Sequence, residues 1–220
     1  MTPYKLVVFD WDGTLMDSLS RIVHSMQMAA VDLGLEVRSD RQVHDIIGLA
    51  LDLAISRLYP ELTDAGIARM HERYAHHYVE GDSTPSPFYD GVPELLQQLH
   101  RGNVLLSVAT GKSRKGLDRI LRAHQVEPLF HSTRCADETK SKPEPDMLLE
   151  ILDYHNLRRH EAVMVGDTEF DLEMAQRAGV DAVGVTWGAH DVSRLWRHGP
   201  KACVDTVAQL AGWLANPVQA

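Results

Sequence analysis

Leu6–Phe9 (LVVF) is a continuous apolar run, β-branched at its centre, that stops at Asp10-Trp11-Asp12-Gly13. A strand that is apolar at every position must bury both faces, which calls for a parallel sheet covered on two sides. Largely apolar runs return at residues 104–109, followed by Thr110-Gly111-Lys112, at 162–165, followed by Gly166-Asp167, and at 182–185. Segments of helical periodicity separate these runs: 92–99, 113–124 behind a Ser113 cap, 143–154, and 169–178 closed by Gly179. Residues 206–214 add a closing helix. Strands alternating with helices predict an α/β fold with a Rossmann-like parallel sheet core flanked by helices.

One interval breaks the alternation. Between the first and second strands the pattern is helical throughout. Asp17 or Ser18 can cap a helix carrying Ile22, Val23, Met26 and Ala30, and Ser39 or Asp40 opens another that ends near Gly48. A run over 51–59 stops at Pro60, and Thr63 or Asp64 opens a last helix with Ile67, Met70, Tyr74 and Tyr78 at helical spacing. This is too long for a crossover and reads as an inserted all-helical cap. The expected division is a core of residues 1–16 and 84–220 and a cap of 17–83, with the linker Ser83-Thr84-Pro85-Ser86-Pro87 at the boundary. A chain of 220 residues can bury a core of that size.

With 22 Lys and Arg against 31 Asp and Glu, the net charge of −9 argues against nucleic acid or an anionic membrane as partner. No apolar run approaches a membrane span, and no basic segment followed by an apolar one precedes the first strand. Cys135 and Cys203 show no CxxC spacing. These features lead us to expect a cytoplasmic protein, monomer or homodimer, whose partner is a small phosphorylated metabolite. An anionic surface needs its own local cation to hold a phosphate.

Four motifs supply that chemistry: DWDGT at 10–14, ATGK at 109–112, KPEPD at 142–146 and GDTEFD at 166–171. In open parallel sheets ligands bind beyond the carboxyl ends of the strands, so Asp10, Thr110 and Asp167 should converge there. Asp10 is placed to attack phosphorus as a nucleophile, which splits one displacement into two easier ones. Asp12, two residues on, is placed to protonate the leaving oxygen and later to deprotonate water. That role needs a raised pKa, which adjacent carboxylates would encourage. Gly13 permits the tight turn. Asp167 and Asp171, at i and i+4, share one face. Two unit charges 4 Å apart interact by ~4 kcal/mol at an effective dielectric near 20, so gathering these four carboxylates calls for a cation. An all-oxygen ligand set points to Mg²⁺. Thr110 and the amides of Gly111 and Lys112 can bind phosphate oxygens, and Lys142 supplies an ammonium.

Each signal has a plainer reading. An aspartate after a strand is often a turn residue, Asp171 sits in an acidic first turn with Glu169 and Glu173, and Thr110 can be a cap. The joint order of the four motifs, each at a strand or helix end, favours catalysis. Gly111-Lys112-Ser113 resembles the tail of a P-loop, but Leu106 stands where that motif needs glycine. His71, His76 and His77 read as a solvated helix face rather than a zinc site.

In order and spacing the motifs resemble the haloacid dehalogenase superfamily, in its phosphatase branch with a helical cap, and the layout is similar to phosphoglycolate phosphatase-like enzymes. The resemblance implies a phosphoric monoester hydrolase dependent on Mg²⁺ that works through an aspartyl-phosphate. It makes Asp10 the nucleophile, Asp12 the acid/base, and Thr110, Gly111 and Lys142 phosphate binders. It makes Asp10, Asp12 (through its backbone carbonyl) and Asp167 metal ligands, with Asp171 supporting the metal through water. Dehalogenases lack a carboxylate at the position of Asp12, and phosphonate-cleaving relatives use a cap lysine, whereas no lysine lies between Ser18 and Gly81. Trp11 departs from the smaller residue usual between the two aspartates and should pack without altering the chemistry. The family's cap sets substrate choice, and residues 46–52 around Gly48 are the expected inward-facing segment, with Arg21 and Arg57 unplaced. A sugar phosphomutase of the β-phosphoglucomutase type would use the same pair of aspartates. A phospho-acceptor signalling domain shares Asp, Thr, Lys and Mg²⁺ but has no use for Asp12 or a cap.

Overall fold

A computed structural model describes residues 3–81 and 84–216, so Ser83 of the expected linker lies outside the described residues. Among the described residues six parallel strands form one sheet: β1 (Leu6–Phe9), β2 (Leu105–Thr110), β3 (Ser132–Cys135), β4 (Ala162–Gly166), β5 (Asp181–Val185) and β6 (Ala202–Val204), in the order β3-β2-β1-β4-β5-β6. The chain winds outward from β1 in one direction and from β4 in the other. The reversal leaves a crevice beyond the carboxyl ends of the two central strands. Successive residues of β1 point to opposite faces, as the strand repeat requires. Val7 and Phe9 join a core with Leu106, Val108 and Val163, while Leu6 and Val8 join another with Met164, Met147 and Leu172.

The helices that cover the sheet are α5 (Val92–Arg101), α6 (Arg114–Ala123), α7 (Asp146–Tyr154), α8 (Glu169–Ala178), α9 (Val192–Leu195) and α10 (Val207–Ala215). Ser113 Oγ caps α6 by accepting from Gly116 N, and Gly179 ends α8 in the left-handed conformation, both as the sequence predicts. α7 starts at Asp146, three residues later than expected, because residues 143–145 are taken up by turns after Lys142. The two edge strands were not anticipated. Ser132–Cys135 is largely polar and half-buried, so it has neither an apolar run nor clean alternation to announce it. Among the described residues no helix is long and apolar enough to cross a membrane.

Between β1 and β2 stand α1 (Leu19–Asp32), α2 (Asp40–His44), α3 (Leu51–Leu58) and α4 (Asp64–His76), followed by one π-helical turn, His77–Gly81. They enclose an apolar cluster of their own, including Met26, Val43, Ile55, Tyr59 and Met70. α2 ends at His44 rather than near Gly48, and the chain continues in turns. The last helix does not reach Tyr78 as an α-helix; the wider π turn carries it instead. The histidines of this helix are not simply solvated. Tertiary packing brings Asp52 to 2.6 Å from His71 and Asp32 to 2.7 Å from His77, and Glu80, one turn along, lies 3.4 Å from His76. The two chain crossings between the helices and the sheet run side by side: Asp17 N donates to Pro87 O and Tyr89 N to Leu15 O.

Trp11 fills the base of this junction. It is wholly buried, its Nε1 lies 2.9 Å from Met16 Sδ, and Phe88 and Phe130 pack on it at 5.9 Å. Trp11→Ala should therefore lower the unfolding free energy by about 3–5 kcal/mol in urea denaturation. Trp11→Phe should cost less and retain activity, since the ring faces the core and not the cleft; a near-neutral Trp11→Ala would contradict this packing role.

Candidate active site

The carboxyl ends of β1, β2 and β4 place Asp10, Thr110 and Asp167 side by side, and the loop before α7 and the first turn of α8 add Lys142 and Asp171. All five are essentially buried. Lys142 Nζ lies 2.8 Å from Asp10 Oδ1 and donates to Asp171 Oδ1 at 2.6 Å. Asp171 Oδ2 accepts from the amide and hydroxyl of Thr168, so the capping box of α8 fixes the carboxylate that in turn fixes the lysine. Asp167 accepts from Thr14 Oγ1 at 2.6 Å and from Ala189 N at 2.8 Å. Neither oxygen of Asp10 accepts a well-directed hydrogen bond, although both are shielded from solvent.

Burial shifts these groups unequally. Loss of hydration pushes the Asp10 carboxyl well above its ordinary pKa; Lys142 opposes the rise, and the charges of Asp171 and Asp167 add to it. Burial, with Asp171 second, pushes Asp167 up to about 7 against the pull of Thr14 and the Ala189 amide. For Lys142 burial works against the ammonium, but Asp10 and Asp171 outweigh it and its pKa rises. One oxygen from each of Asp10, Asp167 and Asp171 falls within 4.8 Å of the others. Three buried carboxylates against one ammonium, with Asp10 Oδ2 shielded from solvent and left without a partner, are a donor set that fits a hard divalent cation. Gly13 belongs to the same cradle. Its φ is +76°, and a Cβ there would fall 2.3 Å from Asp167 Oδ2.

Asp12 stands in different surroundings from those expected. Its carboxylate is outside the cluster of three. Lys112 Nζ lies 2.9 Å from its Oδ2, and Ser18 Oγ donates to its Oδ1 at 2.6 Å. The crowding of carboxylates thus falls on Asp10 and Asp167, and a cation faces Asp12 instead. Ser18 occupies the N-cap of α1 without a capping bond, because Asp12 takes its hydroxyl. Lys112 also donates to Tyr78 OH at 3.1 Å, and Arg21 donates twice to the Tyr78 carbonyl, at 3.1 and 2.6 Å. The sequence reading assigned Lys112 only a backbone amide. The signal for its side chain was the imbalance of four carboxylates against one ammonium.

Thr110 is wholly buried and its Oγ1 accepts from Lys112 N at 3.2 Å. Gly111 lies directly beneath the helical insert: a Cβ there would meet Leu49 O at 2.6 Å and Gly48 O at 2.8 Å. Ala50 N donates to Ser141 Oγ, beside Lys142, and His190 Nε2 lies 3.2 Å from His44 O. Residues 46–52 thus face the site, as expected. Arg21 and Arg57 do not; Arg57 lies over the Phe170 ring, 5.4 Å from its centroid.

Two measurements follow from this geometry. An acid whose pKa is raised by folding stabilises the fold below its unfolded value and withdraws that support as pH rises through the folded value. In chelator, stability should therefore fall between about pH 4 and pH 7 through Asp167, and Asp167→Asn should flatten the fall in melting temperature. A wild-type melting temperature that holds level or rises across that window would contradict it. Gly111→Ala must displace backbone at residues 48 and 49, so amide exchange over 46–54 should accelerate while the central strands stay protected. Unchanged exchange there would place the insert farther from Gly111.

Comparison with known proteins agrees with the geometry. Residues 7–185 match the haloacid dehalogenase-like hydrolase family. A phosphoglycolate phosphatase of Vibrio vulnificus is 29% identical over 94% of both chains, and one of Aliivibrio fischeri is 31% identical over 84% of this chain and 85% of its own. The crystal structure of a hydrolase from Pseudomonas syringae superposes with a TM-score of 0.88 at 25% identity, covering 97% of this chain and 99% of that one. The chain belongs to the haloacid dehalogenase-like hydrolase family, as a phosphoric monoester hydrolase of its phosphoglycolate phosphatase-like kind.

Proposed function

We propose that the protein is a Mg²⁺-dependent phosphatase that transfers the phosphoryl group of a phosphomonoester to Asp10 and then to water. The observation that carries this reading is the state of Asp10: buried at a strand end, held by Lys142 at 2.8 Å, and crowded by two further carboxylates. An Asp10 oxygen would attack phosphorus as the ester P–O bond breaks, with Asp12 passing its proton to the leaving oxygen. Water would then attack the phosphoryl group, Asp12 would take the water proton, and the bond to Asp10 would break to release inorganic phosphate. Lys142, Thr110 and the Gly111 amide would hold the phosphate oxygens. Asp10, Asp167 and the backbone carbonyl of Asp12 would ligate Mg²⁺, with Asp171 behind them. Bound there, the cation would supply charge neutralisation for the transferring group.

In this reading residues 17–83 act as a cap over a core of 1–16 and 84–220. The contacts of residues 44–50 with Gly111, Ser141 and His190 support it. Because relatives carry the name phosphoglycolate phosphatase, 2-phosphoglycolate belongs in the first substrate panel.

The test is phosphate release from a panel of monoesters with and without Mg²⁺, beside two variants. Asp10→Asn should lose turnover while keeping its fold, and residual activity above about a hundredth of wild type would count against nucleophilic attack. Asp12→Ala should slow turnover by about 10² to 10⁴. Normal turnover in Asp12→Ala would withdraw its acid/base role. Phosphate exchange between sugar hydroxyls with little net release would indicate a mutase instead.

A further inference from the structure

The phosphatase reading leaves open what the phosphate is attached to, and the cleft above Asp10 and Asp12 bears on that. It has a volume of about 560 Å³, inside the roughly 300–1,000 Å³ typical of sites for drug-sized ligands. Its surface is mostly apolar. Leu51 at the start of α3, Tyr74 and Ala75 of α4, and Val79 of the π turn give the wall its accessible apolar surface, with Met26 and Leu49 buried behind them. A two-carbon acid would leave most of that surface uncovered.

The charges in the cleft point the same way. A carboxylate close to the phosphate needs a cation close to Asp12. Lys112 is there, but it is already paired with Asp12 and Tyr78. Arg21 is bound to the Tyr78 carbonyl and Arg57 lies over Phe170, and neither lines the cleft. His71 and His76 do line it, each paired with a carboxylate, Asp52 or Glu80, that lines it as well. The remaining cations, Lys115 and Arg119, are exposed on α6 at the rim. Counted together, five carboxylates (Asp10, Asp12, Asp52, Glu80 and Asp137) line the cleft against the three permanent cations Lys112, Lys115 and Arg119, so an acidic group next to the phosphate would enter an excess of negative charge, while a neutral carbon body would meet carbon.

We infer that the substrate is the monophosphate of a neutral, largely apolar alcohol several carbons or one ring in size, its body seated against Leu51, Tyr74 and Val79. This rests on the phosphatase reading and names the alcohol for the same site. Burying one methylene contributes about fourfold in an equilibrium, and the cleft can realise that gain in kcat/KM until its wall is covered.

The experiment measures kcat/KM with Mg²⁺ for ethyl, butyl, hexyl and octyl phosphate, phenyl phosphate and 2-phosphoglycolate. We expect a rise of about fourfold per methylene over the shorter members, with phenyl phosphate and the longer chains ahead of 2-phosphoglycolate. Leu51 is half-buried, and Leu51→Asn should reduce the slope with chain length. A flat series, or 2-phosphoglycolate at its head, would overturn the inference and leave the phosphatase standing. No release from any ester would overturn the phosphatase reading and this inference together.

Discussion

The structure turns on one buried ammonium. Lys142 has no exposed surface, and it lies within 2.8 Å of Asp10 and within 2.6 Å of Asp171. Without it, three carboxylates would face one another in a site of low polarisability, where each unpaired charge is expensive to bury. With it, the site still carries an excess of negative charge, and the excess falls on Asp10 and Asp167, whose pKa values rise. The protein thus holds a reactive carboxylate without satisfying it. An arrangement of that kind costs stability and is retained where the missing partner arrives with the ligand.

The rest of the fold serves to hold this cluster. The reversal of strand order opens the crevice, and strands buried on both faces make its floor rigid. The capping box at the start of α8 positions Asp171, and the turn through Gly13 lets the first loop pass close to Asp167. Above the floor, the Tyr78–Lys112–Asp12 chain joins the helical insert to the acid/base candidate, while Gly48 and Leu49 press on Gly111. Any movement of the insert would therefore be felt at both Asp12 and the phosphate loop.

Much of this could be read from the residues. The four central strands announce themselves because burial on both faces leaves a largely apolar run, and Asp10, Thr110 and Asp167 follow from where those runs stop. The edge strand Ser132–Cys135 has one side against solvent and a polar composition, so it carries no such signature. Side-chain partners across the insert were equally hidden. Ser18 looked like a helix cap and Lys112 like a loop residue, because only the folded chain shows that both reach Asp12. The same holds for Tyr78, which a π turn, invisible to helical periodicity, brings to Lys112.

The central claim is that Asp10 carries the phosphoryl group during turnover. It is tested most directly by acid-quenching the enzyme in the presence of Mg²⁺ and a turned-over monoester, then mapping its peptides by mass spectrometry. The account predicts a phosphoryl group on Asp10 and on no other residue, formed and lost at rates compatible with turnover. A phosphoryl group on another side chain, or turnover with the Asp10 peptide unmodified at every quench time, would contradict it.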